Sequence, residues 1–145
     1  MALVTAARVG VLALESLNLG GDEAQRVRGW DHIGARVARA ATAAPYSCIV
    51  TDERELMGAL LFYARPRPAP VKMWPWLAHP VNHYDLATPL TAADGGRVLL
   101  VTAQKDPSSL LARAARSRPL GPHAARLDAQ RTRTVYLFDC ENMRP

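Results

Sequence analysis

The stretch YSCIVTDERELMGALLFYARP (residues 46–66) has the pattern of a strand that leads directly into a helix. Residues 46–52 form a short apolar run, which predicts a strand buried on both faces. Asp52 and Glu55 then form a D-x-x-E capping-box pattern, which predicts a helix start. An apolar stripe at helical spacing follows, and Pro66 ends it. The stretch therefore predicts one strand and its covering helix, as in an α/β fold.

The segments on either side of this stretch extend the same pattern. Downstream, PVKMWPW (70–76) predicts a returning strand, and the strand–helix–strand order implies a parallel crossover. Upstream, residues 22–44 carry apolar side chains at helical spacing, with Asp22 as the expected N-cap. Trp30 lies on the apolar face of that predicted helix, so we expect it to anchor the core.

The second half of the chain predicts two more strand regions and one helix. GRVLLVTA (96–103) is the clearest strand pattern. Asp106 as N-cap and Pro107 at the first helical position predict a helix that runs through Arg116. The tail, residues 121–142, contains two further segments with no helix between them, which predicts an antiparallel pair at the sheet edge.

The predicted order is α-β-α-β-β-α-β-β, in a single domain over residues 22–145. We expect a small three-layer α/β sandwich whose mostly parallel sheet has about five strands and an antiparallel edge pair. Residues 1–21 form a separate N-terminal segment. Arg8 and Glu15 interrupt its apolar run, which falls short of the ~20 residues that a membrane span needs.

Charge and cysteine content narrow the classes of function. The net charge of +5 comes almost wholly from arginines spread along the chain, so we do not expect nucleic-acid binding. Weak attraction to anionic phospholipid surfaces is compatible with this charge. Cys48 and Cys140 lie far apart in apolar, strand-like runs, which predicts two small buried hydrophobic residues. A disulfide between neighbouring strands stays open for an oxidising compartment.

A ligand crevice is expected where the parallel strands end. Ligands collect beyond the carboxyl ends of such strands, where Asp52 and residues 74–85 and 104–106 emerge. Trp74 and Trp76 lie beside hydrogen-bonding side chains, as in carbohydrate sites. The alternative, which burial statistics favour, is that one tryptophan packs in the core and the other covers a loop.

The loop HPVNHYDLATPL (79–90) resembles a metal-ligand set, because His79, His83 and Asp85 are closely spaced. Two histidines four apart clamp a metal when a helix presents them, but Pro80 lies between these two. No cysteine or HExxH glutamate accompanies them. The chain also lacks a GxSxG motif and a glycine-rich phosphate turn. We therefore predict no metal, no cofactor and no catalytic residue.

Four segments in order, GWDHIGARVA, IVTDERELMGALLFYARP, NHYDL and VLLVTAQKDP, carry a resemblance over about residues 22–107. They resemble the C-terminal soluble region of bacterial membrane glycosyltransferases of the dolichyl-phosphate-mannose protein mannosyltransferase and aminoarabinose-transferase-like superfamily. The matching positions are Gly29-Trp30, Asp52, Arg54-Glu55-Leu56, Phe62-Tyr63, Asn82, Tyr84-Asp85-Leu86 and Leu99-Leu100-Val101.

The resemblance implies a non-catalytic extracytoplasmic domain of a glycosyltransferase that uses a lipid-linked sugar donor. The domain would shape the active-site entrance or assist donor or acceptor binding, with an upstream transmembrane domain of the same polypeptide as its partner. It implies that residues 1–21 follow a membrane helix and that the catalytic acids lie outside this chain. The candidate ligand-binding residues are Asp52, Trp74, Trp76, Asn82, Tyr84 and Asp85. The alternative is a freestanding α/β small-ligand binder or enzyme that uses the strand-edge crevice.

Overall fold

The helices and strands follow the predicted order in the computed structural model, which describes residues 28–76 and 88–145. The elements are α1 (Trp30–Thr42), β1 (Cys48–Thr51), α2 (Arg54–Tyr63), β2 (Val71–Met73), a 3-10 turn (Ala92–Asp94), β3 (Arg97–Thr102), α3 (Ser108–Leu111), β4 (Arg116–Arg126) and β5 (Thr132–Glu141). The expected N-cap Asp22 lies outside the described residues.

The five strands form one mixed sheet in the order β2-β1-β3-β5-β4. Strand β1 pairs in parallel with β2 and with β3, while β5 pairs antiparallel with β3 and with β4. The α/β class, the five strands and the antiparallel pair at the edge are thus confirmed. Within the described residues the parallel pairings do not outnumber the antiparallel ones, and the three-layer sandwich is not confirmed.

Each face of the sheet has its own hydrophobic cluster. The helix-side cluster packs α1 and α2 against the sheet and includes Ile33, Val37, Leu60, Ile49, Leu99 and Leu137. The opposite cluster includes Cys48, Val50, Leu100, Leu110, Cys140 and Met143. Strand β3 is therefore buried on both sides, as its continuous apolar run predicts. Trp30 is confirmed as a core residue, at 7% exposure.

The helix predicted after β3 is much shorter than its sequence pattern indicates. It ends at Leu111, and Arg116, expected near its C-terminus, begins strand β4 instead. The prediction was wrong there because β4 pairs with β5 from Arg116↔Glu141 to Arg126↔Thr132. This long ladder outweighs a local helix preference of at most a few tenths of a kcal/mol per residue.

Both cysteines are free and fully buried. Cys48 pairs with Val98 of β3 on one side, and Cys140 pairs with the same Val98 on the other. Two strand spacings separate them by about 9–10 Å, beyond the Cα separation that a disulfide spans. Burial raises the pKa of Cys48 to about 11 and that of Cys140 to about 12, so both thiols stay protonated at neutral pH.

None of the helices in the described ranges combines the length and apolar character required to cross a bilayer.

The two longer helices touch at a glycine. A Cβ built on Gly34 of α1 would lie 2.5 Å from the carbonyl carbon of Tyr63 at the end of α2. Because that neighbour is backbone, it cannot move aside as the tip of a flexible side chain would. The contact also lets α1 and α2 lie side by side on the same face of the sheet.

We expect Gly34→Ala to destabilise the fold by about 1–3 kcal/mol, because overpacking forces the helices apart. The sign of this stability change is informative because helix propensity alone predicts the opposite effect. Alanine is about 1 kcal/mol more favourable than glycine in a helix. Ala35→Gly, on the exposed side of α1, is the matched control and reports propensity alone. Urea unfolding followed by circular dichroism measures both; a more stable Gly34→Ala variant would contradict the close contact.

A buried carboxylate joins three strands on the helix side of the sheet. Asp139 of β5 is 6% exposed and accepts hydrogen bonds from Arg97 Nε at 2.9 Å and from Arg118 at 3.2 Å. Arg97 also lies over the ring of Tyr46, 5.4 Å from its centroid. The hydrogen bond from Arg97 is the main reason that the pKa of Asp139 lies below its usual value.

This network predicts an acid-sensitive contribution to stability. A depressed folded-state pKa stabilises the fold above the unfolded pKa of about 3.9, and that stabilisation is lost as the pH falls through the folded value. We expect Asp139→Asn to lower the melting temperature at pH 7, with a gap to the unsubstituted chain that narrows below about pH 4. Thermal melts across pH 2.5–7 test this; a gap independent of pH would mean that the charge contributes nothing.

Candidate functional site

The carboxyl ends of β1, β2 and β3 lie at one edge of the sheet. Strand β1 lies between β2 and β3 and is parallel to both. The three strands end at Thr51, Met73 and Thr102. In open sheets this edge is where ligands bind. We call it the carboxyl edge and define it by Thr51, Asp52, Trp74, Trp76, Thr102 and Gln104.

Hydrogen bonds connect the three loops at the carboxyl edge. The Trp74 backbone N–H donates to the Thr51 carbonyl at 2.8 Å, and Trp76 Nε1 donates to the Asp52 carbonyl at 2.9 Å. From the other side, Gln104 Nε2 donates to Asp52 Oδ2 at 2.6 Å. The structure thus brings together three of the predicted ligand-binding residues, Asp52, Trp74 and Trp76.

Asp52 does not cap α2, which corrects the capping-box prediction. The N-cap is Glu53, and no side chain forms a capping hydrogen bond there. The Asp52 carboxylate instead binds Gln104, which lies 52 positions further along the chain. A local D-x-x-E pattern could not reveal this partner, because the contact depends on β3 lying beside β1.

Two oxygens at the carboxyl edge are buried without a hydrogen-bond partner among the described residues: Asp52 Oδ1 and Thr51 Oγ1. A buried polar atom without a partner costs about 1–3 kcal/mol. Such atoms therefore require an explanation, which is often an additional ligand or water. Thr102 differs, because its Oγ1 accepts a hydrogen bond from the Gln104 backbone N–H at 3.0 Å.

The two tryptophans divide between core and surface. Trp74 is 6% exposed and belongs to the cluster on the face opposite α1 and α2, whereas Trp76 is 49% exposed. Their rings meet edge to face, with centroids 6.3 Å apart. Trp76 therefore offers a supported aromatic surface beside the Asp52 backbone, with its indole N–H already occupied.

Three carboxylates, Asp52, Glu53 and Glu55, lie close together where β1 leads into α2. Burial raises the pKa of Glu53, and the nearby carboxylates of Glu55 and Asp52 raise it further. Arg133 offsets this in part, with its Nη2 lying 3.8 Å from Glu55 Oε1. These carboxylates would repel an anionic ligand, whereas a neutral ligand would meet the exposed aromatic surface of Trp76.

Asn82, Tyr84 and Asp85, with His79 and His83, lie outside the described residues. Among the residues described, no group of three or more histidine, cysteine, aspartate or glutamate side chains could hold a metal ion. Thr51, Thr102 and Gln104 were not among the candidate ligand-binding residues, although residues 104–106 were expected at this edge. Their positions at or just after the strand ends were the available signal, but their hydrogen bonds follow only from the strand order.

Thr51 and Thr102 provide a matched test of the unpaired hydroxyl. We expect Thr51→Val to raise the free energy of unfolding by about 1 kcal/mol, because it removes a buried hydroxyl that forms no hydrogen bond. Thr102→Val should lower it by about 1 kcal/mol, since a hydrogen bond is lost. Both are measured by denaturant unfolding at pH 7. Equal losses from the two variants would show that the Thr51 hydroxyl is paired.

Comparison with known proteins gives no further assignment, because no family model, no curated protein and no solved structure matches the chain.

Proposed function

We propose that this chain is a non-catalytic domain that serves a membrane-embedded glycosyltransferase using a lipid-linked sugar donor. Its role is to contact the sugar of the donor or acceptor at the carboxyl edge. The motif resemblance supports the parent activity and an extracytoplasmic location. The catalytic groups belong to the transmembrane part of the same polypeptide in this proposal, and the chain itself needs no cofactor.

One observation carries the sugar-contact role: the half-exposed Trp76 indole is hydrogen-bonded to the backbone of Asp52, whose buried Oδ1 has no hydrogen-bond partner among the described residues. Sugar rings present apolar C–H faces and directional hydroxyl groups, and these match an aromatic surface with adjacent acceptors. Gln104 holds the other carboxylate oxygen, so Asp52 is oriented before a ligand arrives. Pre-organisation of this kind lowers the entropy cost of binding.

The three-layer, mostly parallel architecture expected from the sequence belongs to the same proposal. Helices α1 and α2 cover one face of the sheet at this edge, and Trp74, Leu90 and Leu110 belong to the cluster on the other. A further covering layer on that second face would deepen the crevice around Trp76.

The test is a titration of the 145-residue chain with neutral methyl glycosides of hexoses and pentoses, followed by tryptophan fluorescence and calorimetry. We expect millimolar glycoside to shift the emission of Trp76. Asp52→Asn should weaken binding about tenfold, because hydrogen bonds to a charged group contribute about 1.5–3 kcal/mol. Trp76→Phe should remove most of the fluorescence change.

Phe62→Ala is the matched control, since Phe62 is another exposed aromatic residue but lies on α2, away from the strand ends. Its titration should equal that of the unsubstituted chain. No heat and no spectral change with any glycoside at millimolar concentration would refute the sugar contact and leave a purely structural domain. Binding of other small neutral molecules alone would favour the freestanding ligand binder.

A further inference from the structure

A basic stripe runs along the solvent side of α1. His32, Arg36 and Arg39 are spaced by four and three residues, so they fall within about 60° of one another around the helix. His32 and Arg39 are exposed, and Arg36 is half-buried. Throughout the described ranges, neither Arg36 nor Arg39 forms an ion pair, whereas His32 lies 3.9 Å from Asp31.

Strand β4 adds His123 and Arg118 to this surface, and of these two only Arg118 is charged at neutral pH. His123 pairs with Val135, a member of the helix-side cluster, so its side chain is on the same side of the sheet as α1. The positive charges of Arg36 and Arg39 add to burial in lowering the pKa of His123, as expected if all three lie close together. Near the start of β4, Arg118 forms an ion pair with Asp139 on this same side of the sheet, and its side chain is still 69% exposed.

We call His32, Arg36, Arg39, Arg118 and His123 the α1–β4 surface. Two carboxylates lie beside it: Asp139 is buried beneath Arg97 and Arg118, whereas Asp31, next to His32, is 69% exposed. The three arginines, of which Arg39 and Arg118 are exposed and Arg36 is half-buried, thus outnumber the one exposed carboxylate. The carboxylates of Asp52, Glu53 and Glu55 lie together elsewhere, where β1 leads into α2.

An exposed phenylalanine lies in the same helical layer. Phe62 of α2 is 68% exposed, and its neighbour Tyr63 contacts Gly34 of α1. Arginines combined with a protruding aromatic side chain are typical of surfaces that bind at the headgroup level of a membrane. Single-stranded nucleic acid instead requires aromatic rings within the basic groove for its bases to stack on, and the α1–β4 surface has none.

We propose that the α1–β4 surface docks on the anionic headgroups of a phospholipid bilayer, with Phe62 of α2, on the other side of α1 from the basic stripe, entering the same interface. The arginines bind lipid phosphates and exchange their counterions for headgroup charges. This contact is independent of sugar recognition at the carboxyl edge. It would hold that edge in a fixed orientation relative to the bilayer.

Co-sedimentation of the 145-residue chain with phosphatidylcholine vesicles, with and without phosphatidylglycerol, tests the proposal. We expect binding to the anionic vesicles alone. Each basic residue near such a surface contributes about fivefold in affinity, so Arg36→Gln with Arg39→Gln should lose about 25-fold. Phe62→Ser should lose several-fold, because it removes the side chain that inserts.

Arg126→Gln with Arg144→Gln is the matched control, because it removes the same charge from exposed positions outside the α1–β4 surface. It should lose less than threefold, and circular dichroism confirms that every variant is folded. An equal loss in both double variants would overturn the proposal, since net charge alone would then explain binding. Absence of vesicle binding would overturn it too, as would tighter Arg36- and Arg39-dependent binding to a DNA duplex than to vesicles.

Discussion

The parallel pairing of β1 with β3 is the constraint on which the rest of the structure depends. It runs from Cys48↔Val98 to Thr51↔Val101, although 45 residues lie between the two strands in the sequence. Those residues contain α2 and β2, so the pairing fixes one helical connection and places β3 at the centre of the sheet. Both hydrophobic clusters then form on its two faces.

The same pairing creates the polar arrangement at the carboxyl edge. It brings Gln104 to Asp52, while the β1–β2 pairing brings Trp74 to Thr51 and Trp76 to Asp52. Side chains from three separate parts of the chain thus meet where the backbone ladders stop. The carboxylates near this edge and the arginines of the α1–β4 surface give the domain two chemically different regions. The two proposals assign a neutral polar ligand to the first and an anionic surface to the second.

Local sequence patterns predicted the helices and strands well, but they predicted poorly which distant residues those segments contact. The run before Asp52, the stripe through Leu60 and the apolar stretch of β3 determine strand and helix by periodicity, and all three are found. The prediction of a long helix after β3 was wrong because strand β4, which begins within that segment, pairs with β5. A short window of sequence does not contain that distant partner. Asp52 shows the same limit. Its hydrogen-bond partner Gln104 is remote in sequence, whereas Glu55, its partner in the capping-box pattern, is only three positions away. Gln104 was expected at this edge, but only the strand order reveals its hydrogen bond to Asp52.

The placement of Val98 between Cys48 and Cys140 has a consequence for how the chain acquires its fold. Because the two cysteines belong to non-adjacent strands, the native fold holds no disulfide between them and needs no oxidant to form. A disulfide that formed between them in the unfolded chain would have to be reduced before this sheet could assemble. A pair of thiols this deeply enclosed also gives the mature fold little to lose under oxidative stress.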